Sequence, residues 1–272
     1  KKVGGEWQEQ GKQKASETLF YVTGDELLDE QGNPTGIMVG EGLIGQPKSV
    51  INFHTTGSNV GDPKNEQYFK YNENDELETL TTWEFENDGV TKVKASTTSF
   101  YVAADGVSDE LVGTAKGMIN YYTAGGKEGK KKNEQEFNYN DANEMLSTLT
   151  HEYLYKKVGG EWQEQGKEKA SQTLFYVTGD ELLDEQGNST GIMVGDDMIG
   201  QPKSVINYHT TGSNAGEPKN EQFFKYNEND ELEILTTWEF MPDGRKVQAS
   251  TTSFYVTSDG VADELIGTAK GR

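Results

Sequence analysis

The sequence predicts an all-β protein built of tandem antiparallel β-meander (hairpin) repeats, forming an elongated twisted sheet or a solenoid-like rod. Three observations carry this. Long blocks recur almost unchanged: KKVGGEWQEQGKQKASETLFYVTGDELLDEQGN from Lys1 and KKVGGEWQEQGKEKASQTLFYVTGDELLDEQGN from Lys156, and self-similarity at a fixed period marks a repeat architecture. Between turn signals the residues alternate with period two, as strands do. Helical signals are nearly absent, DELLDE at Asp180 being the one stretch short enough to read as a single helical turn.

Taking the elements in order, EQFFKYN from Glu221 alternates, with Phe223 and Lys225 on one side and Phe224 and Tyr226 on the other. ENDE then supplies Asn and Asp for a tight reversal. LEILTTWEF follows from Leu232, and MPDG turns the chain with Pro242 and Gly244. KVQASTTSFYVT is a third strand, rich in β-branched and aromatic residues. INFHTTG at Ile51, INYYTAG at Ile119 and INYHTTG at Ile206 supply the fourth. The long blocks extend the middle hairpin through Gly159 and Gly160 and add a second hairpin around residues 186–188.

A weaker repeat is nested inside the long one. KNEQYFKYN from Lys64, KNEQEFNYN from Lys132 and KNEQFFKYN from Lys219 lie about 68 and 87 residues apart. The array therefore divides into a partial long unit (1–63), a short unit (64–131), a long unit (132–218) and a partial short unit (219–272). Both ends fall in mid-unit, which leads to the expectation of a longer repetitive parent.

Composition bounds the function. With 25 Lys+Arg against 46 Asp+Glu, the formal charge is −21. Phosphate neutralisation needs clustered cations, so a nucleic-acid partner is not expected, nor is an anionic membrane surface. No apolar run approaches the ~20 residues of a membrane span. The 13 Tyr, 11 Phe and 4 Trp in alternating stretches argue against disorder. The absence of cysteine removes disulfides, thiolate metal sites and Cys nucleophiles.

The segment YNENDELETLTTWEF resembles the YD-repeat pattern of secreted bacterial proteins, with Asn72 where that pattern has Asp and without its turn glycine. The single-layer meander is similar in architecture to spirochaete outer-surface lipoproteins and to secreted repeat proteins of gut Bacteroidetes. These resemblances imply an extracellular bacterial β-repeat protein.

The candidate chemistry is sparse. His54 and His209 occupy one repeat position, which is Tyr122 in the third copy; tyrosine does not replace histidine as a base near neutral pH, so a strand-surface role is expected. The acidic turns at Asp25–Glu30 and Asp180–Glu185 offer hard oxygen ligands for Ca²⁺ but lack the DxDxDG calcium-loop pattern. Trp83 and Trp238, mid-strand, are expected to pack, whereas Trp7 and Trp162, beside GG turns, are the glycan-contact candidates. No catalytic residue, cofactor site or metal site is assigned. The expectation is a secreted or surface-displayed, non-enzymatic structural protein (a stalk, fibre or filament component) that associates with itself or with neighbouring repeats. The alternative is an adhesin or glycan-binding module using repeated exposed aromatics.

Overall fold

The computed structural model describes residues 2–3, 6–7 and 14–271. The chain divides into two compact units, Lys1–Lys132 and Asn133–Arg272. Both are nearly all β, and among the described residues the strands pair antiparallel.

In the first unit, β1 (Lys2–Val3) and β2 (Glu6–Trp7) pair with each other. Next come β3 (Ser16–Phe20), β4 (Glu26–Leu28), β5 (Pro34–Met38), β6 (Pro47–Phe53) and β7 (Pro63–Tyr71). The unit ends with β8 (Leu77–Phe85), β9 (Lys92–Phe100) and β10 (Ala115–Tyr121). Its sheet runs β3-β6-β7-β8-β9-β10, a meander interrupted only by the separate β4–β5 hairpin.

The second unit repeats this plan. Its sheet contains β11 (Lys131–Tyr139), which begins two residues before the division, then β12 (Met145–Val158) and β13 (Glu161–Phe175). It continues with β16 (Pro202–Tyr208), β17 (Pro218–Tyr226), β18 (Leu232–Phe240), β19 (Lys246–Phe254) and β20 (Ala269–Gly271), in that order. The inserted hairpin is β14 (Glu181–Leu183) with β15 (Ser189–Met193). DELLDE thus forms a strand and its turn, not the helical turn the sequence suggests: Leu182 is buried by the sheet beside it, and that burial decides the local conformation. Among the described residues helix is confined to five single 3₁₀ turns, such as Glu41–Leu43.

The turns Asn72–Glu76, Asn140–Glu144 and Asn227–Glu231 reverse the chain without glycine. Asp75, Asn143 and Asp230 take φ near +60°, the left-handed conformation that Asn and Asp tolerate. Asn72 Oδ1 accepts hydrogen bonds from the amides of Asn74 (2.9 Å) and Glu76 (3.0 Å), and Asn72 Nδ2 donates to Glu76 (2.7 Å). Asn140 and Asn227 do the same. A carboxylate accepts but does not donate, so the asparagine that departs from the YD pattern supplies one hydrogen bond an aspartate lacks. The Glu it holds reaches onward: Glu76 accepts from the Ala103 amide, Glu144 from that of Thr178 and Glu231 from that of Thr257.

A second motif occurs four times. Tyr21, Tyr101, Tyr176 and Tyr255 each precede a Val-x-x-Asp turn, and each accepts an amide hydrogen bond from a later glycine, 45, 113, 200 and 267 respectively. The four aspartates bind Lys48 (3.0 Å), Lys116 (2.9 Å), Lys203 (2.9 Å) and Lys270 (2.6 Å).

The two faces of each sheet differ. One face carries Ser49, Glu66, Thr81 and Thr97 in the first unit and Ser147, Ser204, Phe223 and Thr236 in the second, all buried. The inserted hairpin covers it: Gly32 lies on the Tyr68 ring, Gly187 on Phe223, and the indole N–H groups of Trp83 and Trp238 donate to the Glu30 and Glu185 carbonyls (3.1 and 3.2 Å). Beside it sits the core, Tyr21, Leu27, Leu28, Leu43 and Tyr71, with Tyr176, Leu182, Met198 and Tyr226 as its repeat. The alternate positions form the other face. There one rank runs Thr18–Val50–Gln67–Thr82–Ser96–Asn120 across six strands. Its repeat is Thr148–Thr173–Val205–Gln222–Thr237–Ser250. None of these twelve residues is buried.

Candidate functional site

Each inserted hairpin leaves a groove against the sheet. In the first unit Leu27, Leu28, Ile37 and Tyr71 line it with the Lys70–Glu78 ion pair (2.7 Å), enclosing about 230 Å³. In the second, Leu182, Leu183, Ile192 and Tyr226 do so with Lys225–Glu233 (3.0 Å), enclosing about 240 Å³. Tyr21 and Tyr71 meet edge to face, ring centroids 5.9 Å apart. The Tyr21 hydroxyl accepts from the Leu28 amide (3.2 Å), and the Tyr71 hydroxyl donates to the Pro47 carbonyl (3.2 Å). Burial pushes the Tyr71 and Tyr226 phenols up to about 12. Such a groove fits one large side chain and falls below the ~300–1,000 Å³ of small-molecule pockets.

A larger cleft of about 450 Å³ occurs in the second unit, lined by His209, Asn214, Glu217, Phe240, Met241 and Pro242. At the repeat positions of Met241 and Pro242 the first unit has Glu86 and Asn87.

The acidic turns direct each carboxylate to a different partner. Asp25 binds Lys48, Glu26 accepts the Gly36 amide (2.9 Å), and Glu30 pairs with Lys94 (2.8 Å). Asp29 closes its own turn by accepting the amides of Gln31 (2.9 Å) and Asn33 (2.8 Å). In the repeat, hydrogen bonds from the Asn188 side chain, then from turn amides, hold Asp184 below the usual carboxylate range. Among the described residues no three His, Asp or Glu groups are placed to hold a metal ion.

The sequence candidates are scattered. Trp7 lies in β2, and its side chain falls outside the described residues. Trp162 is half-buried near the end of the long β12–β13 hairpin, opposite Lys157, whose Nζ sits 5.7 Å from its ring centroid. Trp83 and Trp238 are half-buried under the inserted hairpins. His54 and His209 follow β6 and β16, where their backbones close loops with Asp62 and Glu217. His151 stands apart on β12, 3.8 Å from Glu136. The paired grooves, and the open sheet face, are features the sequence did not single out. The recurrence of Ile37–Met38 as Ile192–Met193 was the available signal for the grooves.

No family model and no curated protein matches the sequence. Among solved structures, the chain is similar to a Bacteroides fragilis protein of unknown function, at 9% identity over 56% of this chain and 89% of that one, with a TM-score of 0.26. It is also similar to a porin-like protein from Bacteroides uniformis, at 8% identity over 75% of this chain and 93% of that one, with a TM-score of 0.20. Likenesses at these scores carry no argument about function.

Proposed function

We propose that this chain is a structural, non-catalytic repeat protein of the bacterial exterior, secreted or surface-displayed, serving as a stalk, fibre or filament component. The observation that carries the reading is duplication of the packing itself. The contacts Gly32 on Tyr68, Trp83 to Glu30 and Tyr21 against Tyr71 recur as Gly187 on Phe223, Trp238 to Glu185 and Tyr176 against Tyr226. A reaction centre needs one constellation, whereas an array is stabilised by each copy of a repeated one. The negative charge keeps such an array soluble. Self-association, or contact with neighbouring repeats of a longer chain, follows from an open-ended plan, because head-to-tail contacts that do not close generate filaments.

The test is negative-stain electron microscopy over a range of protein concentration, with and without Ca²⁺. Regular fibres with an axial repeat are the expected result. A particle that stays monomeric at every accessible concentration would refute filament formation.

A further inference from the structure

The face of each sheet opposite the inserted hairpin has an unusual chemistry for this chain. A quarter of all residues are charged, and the strand ion pairs gather on the covered face, as in Lys92–Glu66, Lys94–Glu30 and Lys167–Glu134. The central ranks of the open face hold no charge. They present Thr, Ser, Asn and Gln with an occasional Val. The rank on one side carries Asn52, Asn65 and Glu84, repeated as Asn207, Asn220 and Glu239. The rank on the other is mainly apolar, with Phe69, Leu80 and Met118 in the first unit and Phe224 and Leu235 in the second, beside Lys48 and Lys203, which are paired with Asp25 and Asp180. Amides and hydroxyls are linked across strands: Asn52 Nδ2 donates to Asn65 Oδ1 (2.7 Å) and Gln67 Nε2 to Thr82 Oγ1 (3.4 Å). Both bonds recur in the second unit, Asn207 to Asn220 (2.8 Å) and Gln222 to Thr237 (3.4 Å).

From this geometry we infer that the open face of each unit binds a neutral polysaccharide lying across the strands. An amide offers two donors and two acceptor lone pairs, of which one such bond uses a single one, and a hydroxyl both donates and accepts. That mixture matches a ligand whose groups are themselves hydroxyls. A charged ligand would be desolvated there without a counter-charge. Strands lie about 4.8 Å apart, so a six-strand rank offers a polar contact at each step over about 24 Å, an extended track and not a pocket. The site involves neither Trp7 nor Trp162, and the inference stands whether or not the chain forms filaments.

The test is affinity electrophoresis of the full chain in native gels containing dextran, galactomannan, xyloglucan or arabinoxylan, with alginate as a polyanion. Wild-type protein is expected to be retarded by at least one neutral polymer and not by alginate. The double variant Gln67→Glu, Gln222→Glu puts one charge at the centre of each face with little change of volume, and its dissociation constant should rise about tenfold, the cost of one desolvated charge-sized penalty. Gln31→Glu with Gln186→Glu, on the exposed hairpin turns, adds the same charge and should bind as wild type. If circular dichroism shows the first pair unfolded, Thr82→Val with Thr237→Val removes a hydroxyl from each rank and keeps a strand-favouring side chain; weakened retention is again expected. Absence of retardation in all four neutral gels overturns the inference, as does equal retention of wild type and the face variants. A concentration-dependent dimer in sedimentation that the face variants abolish would assign the face to a second copy, and would also overturn it.

Discussion

Replacing Gly32 by alanine tests how the inserted hairpin is held. Gly32 has φ +83°, and a Cβ built on it would lie less than 3.0 Å from three atoms of the Tyr68 ring. The left-handed backbone alone costs about 1 kcal/mol with a side chain present. The ring must also move, and with it the turn whose Glu30 carbonyl accepts from Trp83; losing that bond adds about 1 kcal/mol. Displaced ring packing brings the total to about 3 kcal/mol. Gly36 is the control, because its φ is +82° but nothing lies within 4 Å of its Cβ position. Gly36→Ala should therefore cost only the backbone share, about 1 kcal/mol. Urea unfolding, followed by both far-ultraviolet circular dichroism and tryptophan fluorescence, measures each midpoint. The repeat supplies a replicate, since Gly187 meets the ring of Phe223 in the same way. If Gly32→Ala and Gly36→Ala destabilise equally, the contact between turn and ring contributes nothing and the account of the covered face is wrong.

Two further outcomes are expected. Tyr21→Phe leaves the buried Leu28 amide without its acceptor and should lower stability by about 1–3 kcal/mol, read from the urea midpoint; no change would mean the hydroxyl is replaceable there. In alkali, the Tyr71 and Tyr226 phenols titrate near 12 when folded against about 10 when unfolded. The raised folded value favours unfolding only once the unfolded phenols ionise, so their contribution is complete below pH ~10 and lost as pH rises through ~12. Phenolate absorbance at about pH 11 should report these two as un-ionised in the folded chain, so Tyr71→Phe with Tyr226→Phe should leave that absorbance unchanged; a smaller phenolate signal in the variant than in wild type would refute it.

Much of the fold is legible in the sequence, because alternation and turn chemistry are local. EQFFKY, LEILTTWEF and the Gly159–Gly160 reversal fall within β17, β18 and the β12–β13 hairpin, and the Asn227 read as the end of the first strand opens its turn. DELLDE was misleading for a physical reason: a three-residue strand is shorter than either periodicity can resolve, and its state is set by what Leu27 or Leu182 packs against. The register shifts at Lys70–Tyr71 and Thr82–Trp83 are equally silent, since a bulge depends on the partner strand. The fourfold Tyr-Val-x-x-Asp motif was present in the letters, as YVTGD, YVAAD, YVTGD and YVTSD. Its lysine partners stand 11 or 23 residues further on, so spacing alone hid the pairing. The candidate site was the least legible part. Which face the hairpin covers, and which it leaves open, follows from three-dimensional placement, and only then does the uncharged rank stand out.

The clamp from each glycine-free turn to the next Val-x-x-Asp turn bears on how the chain is made. Glu76 reaches Ala103, Glu144 reaches Thr178 and Glu231 reaches Thr257, spans of 27, 34 and 26 residues. Strand pairings within each unit likewise join neighbours along the chain, apart from the step over the inserted hairpin. A protein whose contacts are this local pays little loop-closure entropy for any one of them. Each hairpin, with its clamp, can settle soon after its last residue leaves the ribosome, before the following one exists. Nearly identical repeats carry a standing hazard of pairing with the wrong copy. Settling in the order of synthesis removes the wrong partner from reach at the moment each strand chooses.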